Sequence, residues 1–460
     1  MVVTVIINYL LPERFRSFFL LFCSLAFIGY YNIESLLAVL VFSLFTFYIS
    51  RNIRGNRLLY IAGILLNAYA VIMFNYFFAT RQGFDFSYAA ISFNVNSFII
   101  ALGLSFYALQ NISYLTEVYF GRWQPELSFK NFVLYNSFFP KVVSGPVMLP
   151  REFMPQIDRN VITHERLAAG FNRFLLGLFK KMVLADRLAP AVHSIFDFGD
   201  ANCGLTTLAG AYLFTIQLYF DFSGYTDMAL GIAKMLGYDL KENFNLPLRA
   251  SSVSEFWRRW HISLISWFTA YVYYPLVYRL RSYKKAAAVA GILATFLISG
   301  IWHGIGITFF LWACCHIAYL CFELLTKRMR SGLSEKPSYL FYKLAGIFIV
   351  FNAVSFSNIF FRSGSLSSAL LMIKSLFSDF FPAGWLHDFI APLAVGGHQV
   401  DEFNFYISIF MAAAFLLFER RINRIANSGG FSFYYTTACV LLIFLLGIFS
   451  NGERFIYMQF

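Results

Sequence analysis

Apolar residues fill this chain in long runs separated by short polar gaps, and about 20 apolar residues suffice for a helix to cross a bilayer. Such runs cover 17–33, 34–50, 58–79, 97–119, 131–149, 168–195, 205–220, 286–301, 307–325, 338–361, 403–419 and 433–450. They predict an all-α polytopic membrane protein with ten to twelve transmembrane helices, some tilted or re-entrant, in one membrane domain over 1–460. Soluble excursions are expected at 80–95, 150–165, 196–204 and 378–402. Residues 1–11 are apolar but too short to span, and no small-residue cleavage site follows. The pattern there is an interfacial segment, not a cleavable signal peptide. No internal repeat and no low-complexity linker is visible.

The stretch 217–268 breaks this pattern. It holds Asp221, Asp227, Asp239, Glu242 and Glu255 with Lys234, Lys241 and Arg249, among many aromatic residues. Polar groups in hydrocarbon are costly unless paired or lining a cavity, and irregular backbone survives there only under cover of protein or water. Short tilted or interfacial helices around a polar cavity fit these residues. An ordinary cytoplasmic loop also fits, but the aromatic content favours the cavity.

Composition supports the membrane reading. The chain is 59% hydrophobic and 13% charged, against about 25% charged for soluble domains. Its 58 Phe and 28 Tyr suit packing between helices and anchoring at interfaces. The net charge of +12 does not indicate nucleic acid, because the basic residues gather in short gaps between spans. Arg51, Arg54 and Arg57 form one group, and Arg279, Arg281, Lys284 and Lys285 another. Lys327, Arg328 and Arg330, then Arg420, Arg421 and Arg424, complete the set. These loops are expected in the cytoplasm, where a basic face also suits an anionic donor. Of the six cysteines, Cys23, Cys314, Cys315, Cys321 and Cys439 lie in apolar runs and Cys203 is loop-like. None forms a CxxC pair, so neither a disulfide framework nor a thiolate metal site is suggested.

Chemistry concentrates at the histidines. His164, His193, His387 and His398 lie in loops or near span ends and receive no role. Residues 253–268 predict one helix, with Ser252 or Ser254 as N-cap and Glu255 in the first turn. On it Trp257, Trp260, His261, Leu264 and Phe268 recur at spacings of three and four and share a face. Arg258 and Arg259 point elsewhere, towards headgroups, carboxylates or a phosphate. The same residues also suit a simple interfacial belt.

From 286 to 325 the chain carries no formal charge, long enough for two crossings, with basic loops on both sides. Gly300, Gly304 and Gly306 offer a turn or break. His303 then lies near the inner end of a re-entrant segment or at a cavity floor, not in a loop. An intramembrane imidazole, titrating near 6.5 when unperturbed, is a candidate general base. A packed histidine bonded to a carbonyl is the alternative. His316 is read as structural. The chain has no GxSxG, HExxH, P-loop or dinucleotide fingerprint, and no carboxylate completes a metal set with His303 and His316.

"QLYFDFSGYTDMALGIAKMLGYDLKENFNLPL", "SEFWRRWHISLISWF" and, 42 residues beyond His261, "SGIWHG" resemble the membrane-bound O-acyltransferase family. The bacterial branch of alginate O-acetylation and teichoic-acid D-alanylation membrane proteins is the nearest in pattern. "FFPKVVSGPVMLPREFMPQ" and "GLFKKMVLADRLAP" extend the resemblance, whose motif core covers about 97–320. It implies helices packed around a central cavity reached from both membrane faces, in a multi-pass protein of the bacterial plasma (inner) membrane. It implies His303 as the family's invariant histidine and His261 as its second polar active-site position. Trp257, Trp260 and Trp302 would shape an acyl pocket, and Arg258 and Arg259 suit donor phosphates. The implied donor is a cytoplasmic thioester, acetyl-CoA or an acyl carrier, with no bound cofactor and no metal. The implied acceptor is a partner, an SGNH-type transferase or a small membrane peptide, which passes the acyl group to an exported polysaccharide. Acetyl is the expected group, and D-alanyl transfer to teichoic acid is the alternative.

One departure concerns the donor and partner. The alginate-type branch continues with Arg-Asp-Tyr-Leu-Tyr-Ile-Pro-Leu-Gly-Gly, whereas this chain reads "TAYVYYPLVY", with Thr269 and Ala270 at the charged pair. A transporter relaying protons through His261, His303 and Asp221 is a competing reading, opposed by the lack of paired half-length spans. An inactive scaffold is a third, opposed by the intact histidine pair.

Overall fold

The computed structural model describes residues 1–80, 85–88, 91–94, 102–157, 159–197, 203–331, 339–377, 380, 402–428, 433–449 and 455–456. His387 and His398 lie outside the described residues.

The apolar runs become helices. α1 (Val2–Leu10), α2 (Glu13–Tyr31), α3 (Ile33–Asn52) and α4 (Arg57–Thr80) open the chain. Pro12 precedes α2, and the Asn32 side chain accepts the Ser35 amide at 2.6 Å to start α3. A short antiparallel hairpin, β1 (Asp85–Tyr88) with β2 (Ile91–Asn94), falls in the expected excursion at 80–95. α5 (Leu104–Tyr119) follows. The single span expected at 131–149 is instead α6 (Phe129–Ser137) and α7 (Phe139–Val142), and α8 (Pro150–Ile157) comes after them. Pro140 at the start of α7 accounts for the interruption, since it has no N–H to continue α6.

α9 (His164–Phe179), a π-helical turn at Lys180–Ala185 and α10 (Asp186–Asp197) form one continuous path. It packs on α11 (Gly204–Met235), which at 1.5 Å per residue is about 48 Å long and outruns a hydrocarbon core of about 30 Å. The 217–235 part of the unusual stretch therefore belongs to a long helix, not to several short ones. Glycines allow the contact. A Cβ on Gly177 would lie 2.4 Å from the Gly224 carbonyl, and one on Gly231 would lie 2.5 Å from that of Gly170.

The aspartates of α11 are neutralised from the same partner path. Lys180 meets Asp227 at 2.8 Å, and Arg173 joins Asp227 at 2.6 Å to Glu242 at 2.7 Å. Lys181 lies 2.8 Å from both Asp186 and Asp221. Removing one member of such a buried pair costs far more than the pair itself contributes.

Beyond an irregular segment at 236–252 come α12 (Val253–Arg259), α13 (Ile262–Phe268), a second π turn (Thr269–Tyr273) and α14 (Tyr274–Arg279). α15 (Lys285–His303) and α16 (Ile307–Ser331) form the expected double crossing, turning at 304–306. α17 (Tyr339–Arg362), α18 (Leu366–Ser375), α19 (Glu402–Ala426) and α20 (Phe433–Leu446) complete the chain. Among the described residues four helical segments are long and apolar enough to cross a membrane: Ile33–Asn52, Lys285–His303, Ile307–Arg330 and Leu340–Arg362. Shorter apolar helical segments, Arg57–Met73, Leu366–Ser375 and Phe433–Leu446, accompany them, as the all-α polytopic reading with tilted and broken elements expects.

Candidate active site

The helix predicted over 253–268 is broken, and the break is at His261. Ser252 caps α12, accepting the Glu255 amide at 3.1 Å. Glu323 of α16 also takes the Ser254 amide at 3.0 Å and the Ser254 hydroxyl at 2.7 Å, placing a carboxylate at the helix's positive end. Beyond the end of α12, His261 adopts φ 45° and ψ 49°, the left-handed region that costs a residue with a Cβ about 1–2 kcal/mol.

Asn243 holds this kink. Its carbonyl accepts the Ile262 amide at 2.9 Å and its Oδ1 accepts the Ser263 amide at 3.2 Å, while the Asn245 amide donates to the Arg259 carbonyl at 2.9 Å. Ser263 in turn accepts the Val147 amide at 3.0 Å. The kink undoes the shared face. Trp257 packs edge-on against Trp312 and Phe296, Trp260 against Phe244, and His261 turns to Phe222 of α11 at 4.6 Å.

His303 is the last residue of α15, buried at 5% exposure, and His261 is buried at 1%. Gly304 lets the chain turn immediately after it, because a Cβ there would lie 2.4 Å from the Phe309 ring. The two imidazoles flank one indole. Trp302 lies 4.8 Å from His303 and 6.3 Å from His261, ring centre to ring centre. Trp312 of α16 at 5.1 Å and Phe361 of α17 at 5.3 Å close the other sides of His303. Two basic groups in an aromatic, water-poor box can exchange a proton with a hydroxyl and stabilise charge on an oxygen.

His316 has a different environment. Its Nδ1 accepts the Trp257 indole N–H at 3.3 Å, and its Nε2 lies 3.1 Å from the Ser357 hydroxyl, which donates to the Val354 carbonyl at 2.8 Å. Both ring nitrogens are committed to the scaffold, as the structural reading of His316 expects.

The arginines do not converge on the imidazoles. Arg258 is exposed, and Arg259 binds Glu255 at 2.6 Å. Burial alone would raise the Glu255 carboxyl, but hydrogen bonds from Ser251 and the Arg259 guanidinium hold it below its ordinary range. His164 starts α9 and His193 lies within α10, and neither lines the two spaces that border the imidazoles.

Two spaces border the site. A cavity of about 20 Å³, about one water, is lined by Trp257, Trp260, His303, Trp312, His316 and Asn358. Trp302 lines a groove of about 860 Å³ between α4, α5, the π turn, α14 and α15. Ala270 lines it, in the position where the resembling branch carries a charge. Sequence reasoning missed Asn243, because nothing in its spacing marks a polar residue whose partners lie about 20 positions ahead. It also missed the groove, whose walls come from distant segments.

Residues 124–363 match the membrane-bound O-acyltransferase family. The chain is 32% identical to a probable alginate O-acetylase of Azotobacter vinelandii, over 80% of this chain and 74% of that protein. It is 31% identical to a peptidoglycan O-acetyltransferase of Helicobacter pylori, over 79% of this chain and 74% of the relative. It is also 26% identical to a teichoic acid D-alanyltransferase of Bacillus subtilis, over 57% and 68% respectively.

Proposed function

Because the chain belongs to the membrane-bound O-acyltransferase family, we propose a specific reaction for the two buried imidazoles of this O-acyltransferase. It moves an acetyl group from a cytoplasmic thioester, acetyl-CoA or an acyl carrier, towards an exported cell-envelope polysaccharide. The relatives at 31–32% identity are named for O-acetylation of alginate or peptidoglycan, which supports acetyl over D-alanyl. A partner protein, an SGNH-type transferase or a small membrane peptide, offers the accepting hydroxyl.

His303 takes the proton of that hydroxyl as its oxygen attacks the thioester carbonyl. His261 donates a hydrogen bond to the oxyanion. Collapse breaks the carbon–sulfur bond, and the proton held by His303 leaves with the thiolate. The aromatic box of Trp302, Trp312 and Phe361 keeps water from competing. Trp257 and Trp260 wall the small cavity beside His303. Arg258, exposed at the end of α12, is left for donor phosphates at the protein surface, whereas Arg259 is engaged by Glu255.

The observation that carries this reading is the placement of His261 and His303, from separate segments, against one shared indole, that of Trp302. The test is thiol release and acetyl transfer by purified protein with labelled acetyl-CoA and with acetyl and D-alanyl carrier thioesters. His303→Ala is expected to abolish transfer while folding normally, and His261→Ala to leave a trace. Near-wild-type turnover in His303→Ala would refute the assignment.

A further inference from the structure

We infer that the groove beside Trp302 holds the acyl chain of an anionic phospholipid, drawn from the leaflet that faces the basic loops. Its volume of about 860 Å³ lies within the ~300–1,000 Å³ of ligand pockets. Ile64, Val71, Ile112, Val272 and Ile298 form its walls, and Trp302 forms its inner end. Along α4 the lining runs from Tyr60 to Ile72. That is about 18 Å at 1.5 Å per residue, slightly over half a hydrocarbon core of about 30 Å. The groove is one leaflet deep. Ile72, Ile298 and Ile301 are between 42% and 49% exposed, so it opens sideways towards lipid.

The mouth suits a phosphate. Arg122 lines it, and the Tyr271 hydroxyl donates to buried Glu117 at 2.8 Å. Glu117 faces two guanidiniums, Arg122 at 3.5 Å and Arg151 at 3.7 Å, whose side chains are 60% and 57% exposed. Two cations share one carboxylate, which leaves a positive charge for a headgroup. Arg54 and Arg51 reach the carbonyls of Trp123 and Leu127 in the same loop, both at 3.1 Å, so the basic loop and the mouth share one side.

The walls discriminate against the donor's own arm. A pantetheine chain carries amides that need partners when buried. Here the Tyr60 and Thr116 hydroxyls lie 3.3 Å apart and bond each other, and Tyr271 is taken by Glu117. A hydrocarbon chain needs no such partners. Its tip would rest on the face of Trp302 away from the histidines, so that lipid completes the outer wall of the chamber.

The test uses the full-length protein in nanodiscs of phosphatidylglycerol or phosphatidylcholine, with thermal unfolding and native mass spectrometry as readouts. Phosphatidylglycerol should raise the melting temperature more than phosphatidylcholine and should remain bound after transfer to detergent. Ala270→Trp, which fills the groove, should abolish that retention; Ile298→Trp provides a second filling variant if the first fails to fold. Arg122→Gln with Arg151→Gln should erase the headgroup preference. Equal stabilisation by the two lipids, retention undiminished in both filled variants, or displacement of the lipid by acetyl-CoA would each overturn the proposal.

Discussion

His261 sits in a backbone conformation that few residues with a Cβ adopt, and its neighbours hold it there. The left-handed turn ends α12 and lets α13 leave in a new direction, so the imidazole meets Phe222 and Trp302 instead of the Trp257 face. Asn243 bears much of this constraint. Asn243→Ala leaves the Ser263 amide without its side-chain acceptor, at a cost of about 1–3 kcal/mol. Denaturation should record that loss, and kcat should fall more than KM rises, because the imidazole is misplaced rather than the substrate lost. His316 supplies the contrast. His316→Phe strands the Trp257 N–H and removes the imidazole contact of Ser357, whose hydroxyl keeps its bond to the Val354 carbonyl. It is expected to lower stability by about 1–3 kcal/mol while turnover per folded molecule stays within a few-fold. A loss as deep as that of His303→Ala would make His316 part of the reaction.

The elements were legible in the sequence to the extent that local chemistry defines them. The uncharged stretch at 286–325 announced α15 and α16, and Ser252 with Glu255 announced the start of α12. The kink at His261 carried no local signal, because no glycine marks it and its stabilising bonds come from Asn243. The polar residues of α11 looked like a cavity lining, since their partners Lys180 and Lys181 lie 47 and 40 positions away. The α9–α11 contact is another long-range property. It depends on backbone meeting backbone at Gly177 and Gly224, so Gly177→Ala must push the helices apart. Such overpacking costs about 1–3 kcal/mol, and thermal unfolding in detergent should show it. Gly364→Ala, with nothing within 4 Å of the added carbon, should leave the melting temperature unchanged.

Over the whole molecule, the site is assembled from both ends of one packed core. α11 brings Phe222, α15 brings Trp302 and α17 brings Phe361 into one hydrophobic cluster with Trp257 and Trp260, and His303 packs against Trp302 and Phe361. α2 and α3 pack mainly in separate clusters, while α4 reaches across to wall the groove. The two π turns, Lys180–Ala185 and Thr269–Tyr273, each join two α-helical segments without a gap. A π turn stores an extra residue within an otherwise regular helix. Losing one residue there returns the turn to α geometry and keeps both flanks on their faces. The same loss inside α15 would rotate everything beyond it by about 100°, carrying Trp302 and His303 off the chamber. Relatives of different length can therefore gain or shed a residue at these two turns during evolution without moving either histidine, which makes them the natural places for gaps when such chains are aligned.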